Sequence, residues 1–117
     1  MLDPALVLEH AGQWFGVTAS GVARWGSADN NQRPIDAVLA RAVAALCFRR
    51  HTILSYPEIA AAFNYRSHTS VLELVSKGMS GWFDDRMPDG MTAVMIADLV
   101  AASVEAQQAE SAPPCPR

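Results

Sequence analysis

Ser55-Tyr56-Pro57-Glu58-Ile59-Ala60-Ala61-Ala62-Phe63-Asn64-Tyr65-Arg66-Ser67-His68-Thr69-Ser70-Val71-Leu72-Glu73-Leu74-Val75-Ser76-Lys77 is the stretch that decides the fold. Ser55 and Glu58 have the spacing of a capping box, and Pro57 falls in the first helical turn. Ile59, Ala62 and Phe63 give the short helix one apolar side. Asn64-Tyr65-Arg66 reads as a tight break, since Asn tolerates the left-handed conformation. Ser67 then caps a second helix, with Val71, Leu74, Val75 and Trp82 expected on its buried side. A short helix, a brief turn and a second capped helix form the pattern of a helix-turn-helix, here over 55–83. In that motif the first residues of the second helix reach base edges in the major groove. These are Arg66, Ser67, His68, Thr69 and Ser70. Each can hydrogen-bond, none is acidic, and a helix N-terminus favours phosphate. The plainer alternative is a helical hairpin in which Ser67 is only a cap and His68 only a surface histidine.

Outward from this stretch the chain reads as helix throughout. Asp3-Pro4 is an N-cap followed by Pro at the first helical position, and Leu6, Val7, Ala11 and Trp14 follow at helical spacing up to a stop at Gly16. Thr18 opens a short helix to about Trp25. Residues 26–33 hold no apolar side chain larger than alanine and read as a loop. Pro34 begins the longest helix, on which Ile35, Val38, Leu39, Ala42, Val43, Leu46 and Cys47 form a broad apolar stripe. Asp89-Gly90 signals a turn, and a last helix is expected over about 92–108. The expectation is one all-α domain over 1–110, a bundle of about six helices, with a disordered tail at 111–117.

With 117 residues, half of them hydrophobic, there is material for one core. The formal net charge of -3 argues against coating nucleic acid through bulk charge. Its distribution says more. Residues 33–77 carry Arg33, Arg41, Arg49, Arg50, Arg66 and Lys77 against Asp36, Glu58 and Glu73, a local charge of +3. Residues 78–116 carry Arg86 against six carboxylates, a local charge of -5. A basic block inside an acidic chain points to an anionic partner for that block. The acidic 84–110 segment offers a surface for a second copy or another protein.

Several functions find no support. No apolar run approaches the length of a membrane span, and the N-terminus lacks the pattern of a secretory signal, so the expected place is the cytoplasm, at the nucleoid. Cys47 and Cys115 form no CxxC, and His10 and His51 lie outside ligand spacing, so neither a disulfide framework nor a metal site is expected. Ser67 and His68 are adjacent, but no Gly-x-Ser-x-Gly elbow exists to make a hydrolase. The chain reads as a non-enzyme without cofactor or nucleotide. Trp14, Trp25 and Trp82 are expected to pack inward, and Met79, Met87, Met91 and Met95 to fill core gaps.

Arg41-Ala42-Val43-Ala44, Ser55-Tyr56-Pro57-Glu58-Ile59-Ala60 and Phe63-Asn64-Tyr65-Arg66-Ser67-His68-Thr69-Ser70-Val71 together resemble the C-terminal DNA-binding domain of the bacterial replication initiator DnaA. The family hallmark is Gly-Arg-Asp-His-Thr-Thr-Val at the start of the recognition helix. The resemblance covers about residues 4–83 and implies a Trp-repressor-like fold and sequence-specific binding of double-stranded DNA. It also implies roles. His68 and Thr69 stand where the family touches bases, Arg66 matches the hallmark Arg, and Ser70 the second hydroxyl. Arg41 and Arg49 stand at phosphate-holding positions of the long helix, with Arg50 beside them. Ser55 and Pro57 lie where the first helix of the motif meets the backbone, and Lys77 matches a basic residue of the recognition helix.

Three departures modify that implication. The hallmark Asp is Ser67, the basic loop before the long helix is replaced by Gly26-Ser-Ala-Asp-Asn-Asn-Gln32, and no Gly-x-x-x-x-Gly-Lys-Ser/Thr run is present for ATP. The expectation is an accessory replication or regulatory factor without ATPase activity. The alternative is an interaction module that kept the fold and lost strong DNA binding. Four or five phosphate contacts from Arg41, Arg49, Arg50, Arg66 and Lys77 would give a log–log salt slope of roughly -4. Without a minor-groove arginine, monomer binding should be weak, unless the amides of Asn30, Asn31 and Gln32 read that groove.

Overall fold

The computed structural model describes residues 2–19, 22, 34–63 and 69–111. Five helices follow in chain order: α1 Pro4–Gln13, α2 Pro34–His51, α3 Tyr56–Ala62, α4 Thr69–Met79 and α5 Ala93–Ser111. Two single-turn 3-10 helices, Asp84–Arg86 and Pro88–Gly90, join α4 to α5. No strand occurs among the described residues. The expected class therefore holds, with five α-helices among the described residues; the short helix expected from Thr18 to about Trp25 lies largely outside them. The loop 26–33, the break at 64–66 and the Ser67 cap all fall outside the described residues, as do most of the residues between 20 and 25.

The helix ends follow the sequence closely. Asp3 caps α1 by accepting the Ala5 N–H at 3.0 Å. At its other end the chain turns through Gly16, and the Val17 N–H reaches back to the Gly12 carbonyl at 2.9 Å. The α3 capping box is reciprocal: Ser55 Oγ accepts the Glu58 N–H, and Glu58 Oε1 accepts the Ser55 N–H at 3.1 Å. Helix α4 closes in a Schellman motif. Gly81 sits at φ 86°, and the Trp82 and Gly81 N–H groups return to the Lys77 and Gly78 carbonyls. Before α5, Thr92 Oγ1 accepts the Met95 N–H, and Asp84 accepts that of Ala93.

Helix α2 lies at the centre. It packs against α1, α3, α4 and α5, and every residue from Leu39 to Phe48 is buried. The one-sided stripe read from the sequence is thus a helix covered all round, as its content of Ala, Val, Leu, Cys and Phe permits. Phe48 meets Phe63 edge-on, with ring centroids 6.0 Å apart. At Gly78 an added Cβ would lie 2.7 Å from Leu46, so α4 approaches α2 with no room for a side chain. Burial pushes the Cys47 thiol up to about 12, with Asp98 and Glu105 adding to the shift, which makes it a packing residue.

Three expected packing roles are corrected. Trp82 is 67% exposed, Met79 55% and Met95 51%. Trp82 follows Gly81, whose left-handed turn swings the chain off the axis of α4, so the helical register that would have buried it ends first. Trp14 is half-exposed at the end of α1, while Met87 is buried as expected.

Candidate nucleic-acid interface

Helix α4 buries Val71, Val75 and Gly78 against the bundle. At 100° per residue the ridge directly opposite runs through Thr69, Glu73, Ser76 and Ser80, and all four are exposed. Ser70 and Leu72 flank it and are exposed too. The structure therefore places the described base-contact candidates, Thr69 and Ser70, on the open side of the first turn. Arg66, Ser67 and His68 lie outside the described residues.

The residues proposed from sequence to hold phosphate have separate fates. Arg41 is 3% exposed, and its Nε donates to the Val22 carbonyl at 2.8 Å. This corrects the expectation, drawn from the resemblance, that Arg41 holds phosphate alongside Arg49. Arg41 lies in the wholly covered stretch of α2, and its guanidinium ties that helix to the segment around Val22. Arg49, two turns later, emerges from the bundle and lies over the Tyr56 ring, 5.0 Å from its centroid. Among the described residues it has no carboxylate partner.

Arg50 also reaches the surface, but α5 holds it. Its Nε and second guanidinium nitrogen donate to the two oxygens of Asp98 at 2.9 and 3.2 Å. His51 Nε2 stands 2.6 Å from the same carboxylate. The Arg50 hydrogen bond holds the Asp98 carboxyl below its usual range, reinforced by His51 and opposed by slight burial. The sign follows: this junction adds stability above the ordinary carboxylate range and loses it as pH falls through the depressed value. Lys77 is likewise paired, with Glu73 one turn back at 2.8 Å, and its ammonium lies 5.4 Å over the Trp82 ring. The Ser55 hydroxyl is spent in the capping box, while Pro57 is exposed beside it.

Arg49, Arg50, Tyr56, Val75, Ser76 and Met79 line an open cleft of about 550 Å³ between the end of α2, the start of α3 and the second half of α4. The fold thus gathers two arginines beside the outward ridge of α4 and sends the third into the core. Sequence reading missed three participants. Glu73 could have been found, four residues after Thr69 and so on the same face. Asp98 and Tyr56 could not, because their roles come from contacts between helices.

Asp98 therefore competes with any anion for Arg50. Replacing it by Asn should raise affinity for an unrelated duplex a few-fold at low salt and steepen the log–log salt slope by up to about one unit. Filter binding across a salt series checks this. An unchanged slope would show that Arg50 contributes nothing to anion binding.

No cluster of three or more metal-ligating side chains, and no helix long and apolar enough to cross a membrane, occurs among the described residues. Residues 27–77 match the family described as the bacterial DnaA protein helix-turn-helix. Over that segment the chain is similar to the DNA-binding C-terminal domain of the initiator, as the motifs indicated. The match takes in α2, α3 and most of α4, which are the elements that build the cleft and the ridge. No curated protein matches the chain.

Proposed function

We propose that this protein binds double-stranded DNA with sequence preference, laying the first turns of α4 in the major groove, and serves replication or its regulation as an accessory factor rather than through ATP hydrolysis. One observation carries the reading. The DnaA-type segment ends on a helix whose open side begins with the hydrogen-bonding residues Thr69 and Ser70 and adjoins an arginine-lined cleft. Arg66, Ser67, His68, Thr69 and Ser70 are the proposed base readers. Arg49, Arg50, Lys77 and the Ser55–Pro57 corner are the proposed backbone contacts.

In vitro selection from a random duplex pool, followed by affinity measured against salt, tests the reading. A defined site is expected. With Arg41 buried, three of the proposed phosphate-contact cations, Arg49, Arg50 and Lys77, remain on the described surface, for a salt slope of about -3. Replacing His68 by Ala should cost roughly tenfold or more on the selected site and little on random DNA, since a good base contact discriminates by about 1–3 kcal/mol. An unchanged site preference would remove His68 from the readout.

A second reading has its own support. Two of these three contact cations already hold a carboxylate, Arg50 with Asp98 and Lys77 with Glu73. A fold tuned this way suits a protein-interaction module with weakened DNA binding. Mobility shift at low salt separates the two: absence of any shifted duplex favours the second.

A further inference from the structure

We infer that Glu73 is a specificity residue that accepts a hydrogen bond from a cytosine amino group about two base pairs from the pair read by Thr69. This rests on the reading of α4 as the groove helix and adds to it a base and a position. Glu73 lies on the ridge opposite Val71, Val75 and Gly78, so a helix that presents Thr69 to DNA presents Glu73 as well. Four residues of helix advance it about 6 Å, close to two base steps of ~3.4 Å.

The side chain is both open and positioned. Its solvent exposure is 62%, and Lys77 Nζ holds Oε1 at 2.8 Å. Lys77 is itself placed over the ring of Trp82, whose backbone N–H closes the turn at Gly81 on the Lys77 carbonyl. This series of contacts restrains a long flexible carboxylate that would otherwise sweep the surface. The Lys77 hydrogen bond also holds the Glu73 carboxyl below its usual range, so it remains an acceptor. Lys77 offsets the repulsion that a lone carboxylate would meet near phosphates. An acceptor-only group in the major groove suits the cytosine N4 donor. A glutamine offers a donor as well and pairs best with adenine.

The experiment is duplex selection with four forms of the full chain: wild type, Thr69→Ala, Glu73→Gln and Glu73→Ala. Thr69→Ala marks the position that Thr69 reads. The wild type is expected to select cytosine about two pairs away, by roughly tenfold or more over other bases. Glu73→Gln should shift that pair toward adenine, and Glu73→Ala should flatten it. The surface position of Glu73 makes all forms expected to fold, which circular dichroism verifies. If a site is selected but this pair is unaffected, the inference fails and the DNA reading stands. Glu73 is then only a repelling charge if both variants instead gain affinity on every sequence alike. If no form selects any site, the DNA reading fails and takes the inference with it.

Discussion

Gly12→Ala is expected to lower stability by about 2 kcal/mol or more, a fall of roughly 10 °C in melting temperature for a domain of this size. Alanine would gain up to ~1 kcal/mol in helix propensity, so the sign depends on what the methyl meets. It meets backbone: the added Cβ would lie 2.2 Å from the Val17 carbonyl oxygen and 3.2 Å from its carbon. A side chain could rotate away, but this carbonyl belongs to the turn whose N–H closes α1 on the Gly12 carbonyl. Relief therefore requires moving the chain that leads to buried Val22. Thermal denaturation followed by circular dichroism checks it, and a melt equal to wild type would mean the turn yields freely.

Arg41→Ala should also be severe, and in a way that separates core from interface. Removing the side chain leaves a cavity around α2 and takes the Nε donor from the Val22 carbonyl, for a combined loss of about 2–4 kcal/mol. On the protein that remains folded at low temperature, the salt slope for DNA should not change. Arg49→Ala is the contrast: stability nearly intact and the slope reduced by roughly one unit. Urea denaturation paired with salt titration distinguishes the two arginines. A stable Arg41→Ala protein with a shallower slope would return Arg41 to the backbone contacts.

Arg41 also shows where sequence reading stops. Helix boundaries were legible because local chemistry sets them: Asp3-Pro4, the Ser55–Glu58 box, Asp89-Gly90. Asp89 does adopt the left-handed conformation, at φ 56°, and α5 starts within a residue of its expected place. The resemblance puts Arg41 at a phosphate-holding position, and a match of position carries no information on burial. The run Leu39–Phe48, apolar at every position but Arg41, was in fact the signal of a helix covered on all sides. Trp82 misled in the same manner, its exposure decided by a turn that helical periodicity does not anticipate. The ridge of α4 was half legible: Val71 and Val75 mark its buried side, and the open side follows by rotation. The pairings of Arg50 and Lys77 divide the same way. Glu73–Lys77 is a spacing of four within one helix, visible at once, whereas Arg50–Asp98 joins helices 48 positions apart and only the fold reveals it.

The central position of α2 has a consequence for how the protein moves. The other α-helices of the described structure rest on it, α4 with its Gly78 against Leu46. Lifting α4 away would bare Leu46 and the core beneath, so α4 has no inexpensive partial opening of its own. It detaches when the bundle melts. Thr69 and Ser70, the described part of the proposed reading surface, are therefore carried by a helix with no separate opening, and a duplex docking on them would spend little free energy on ordering α4.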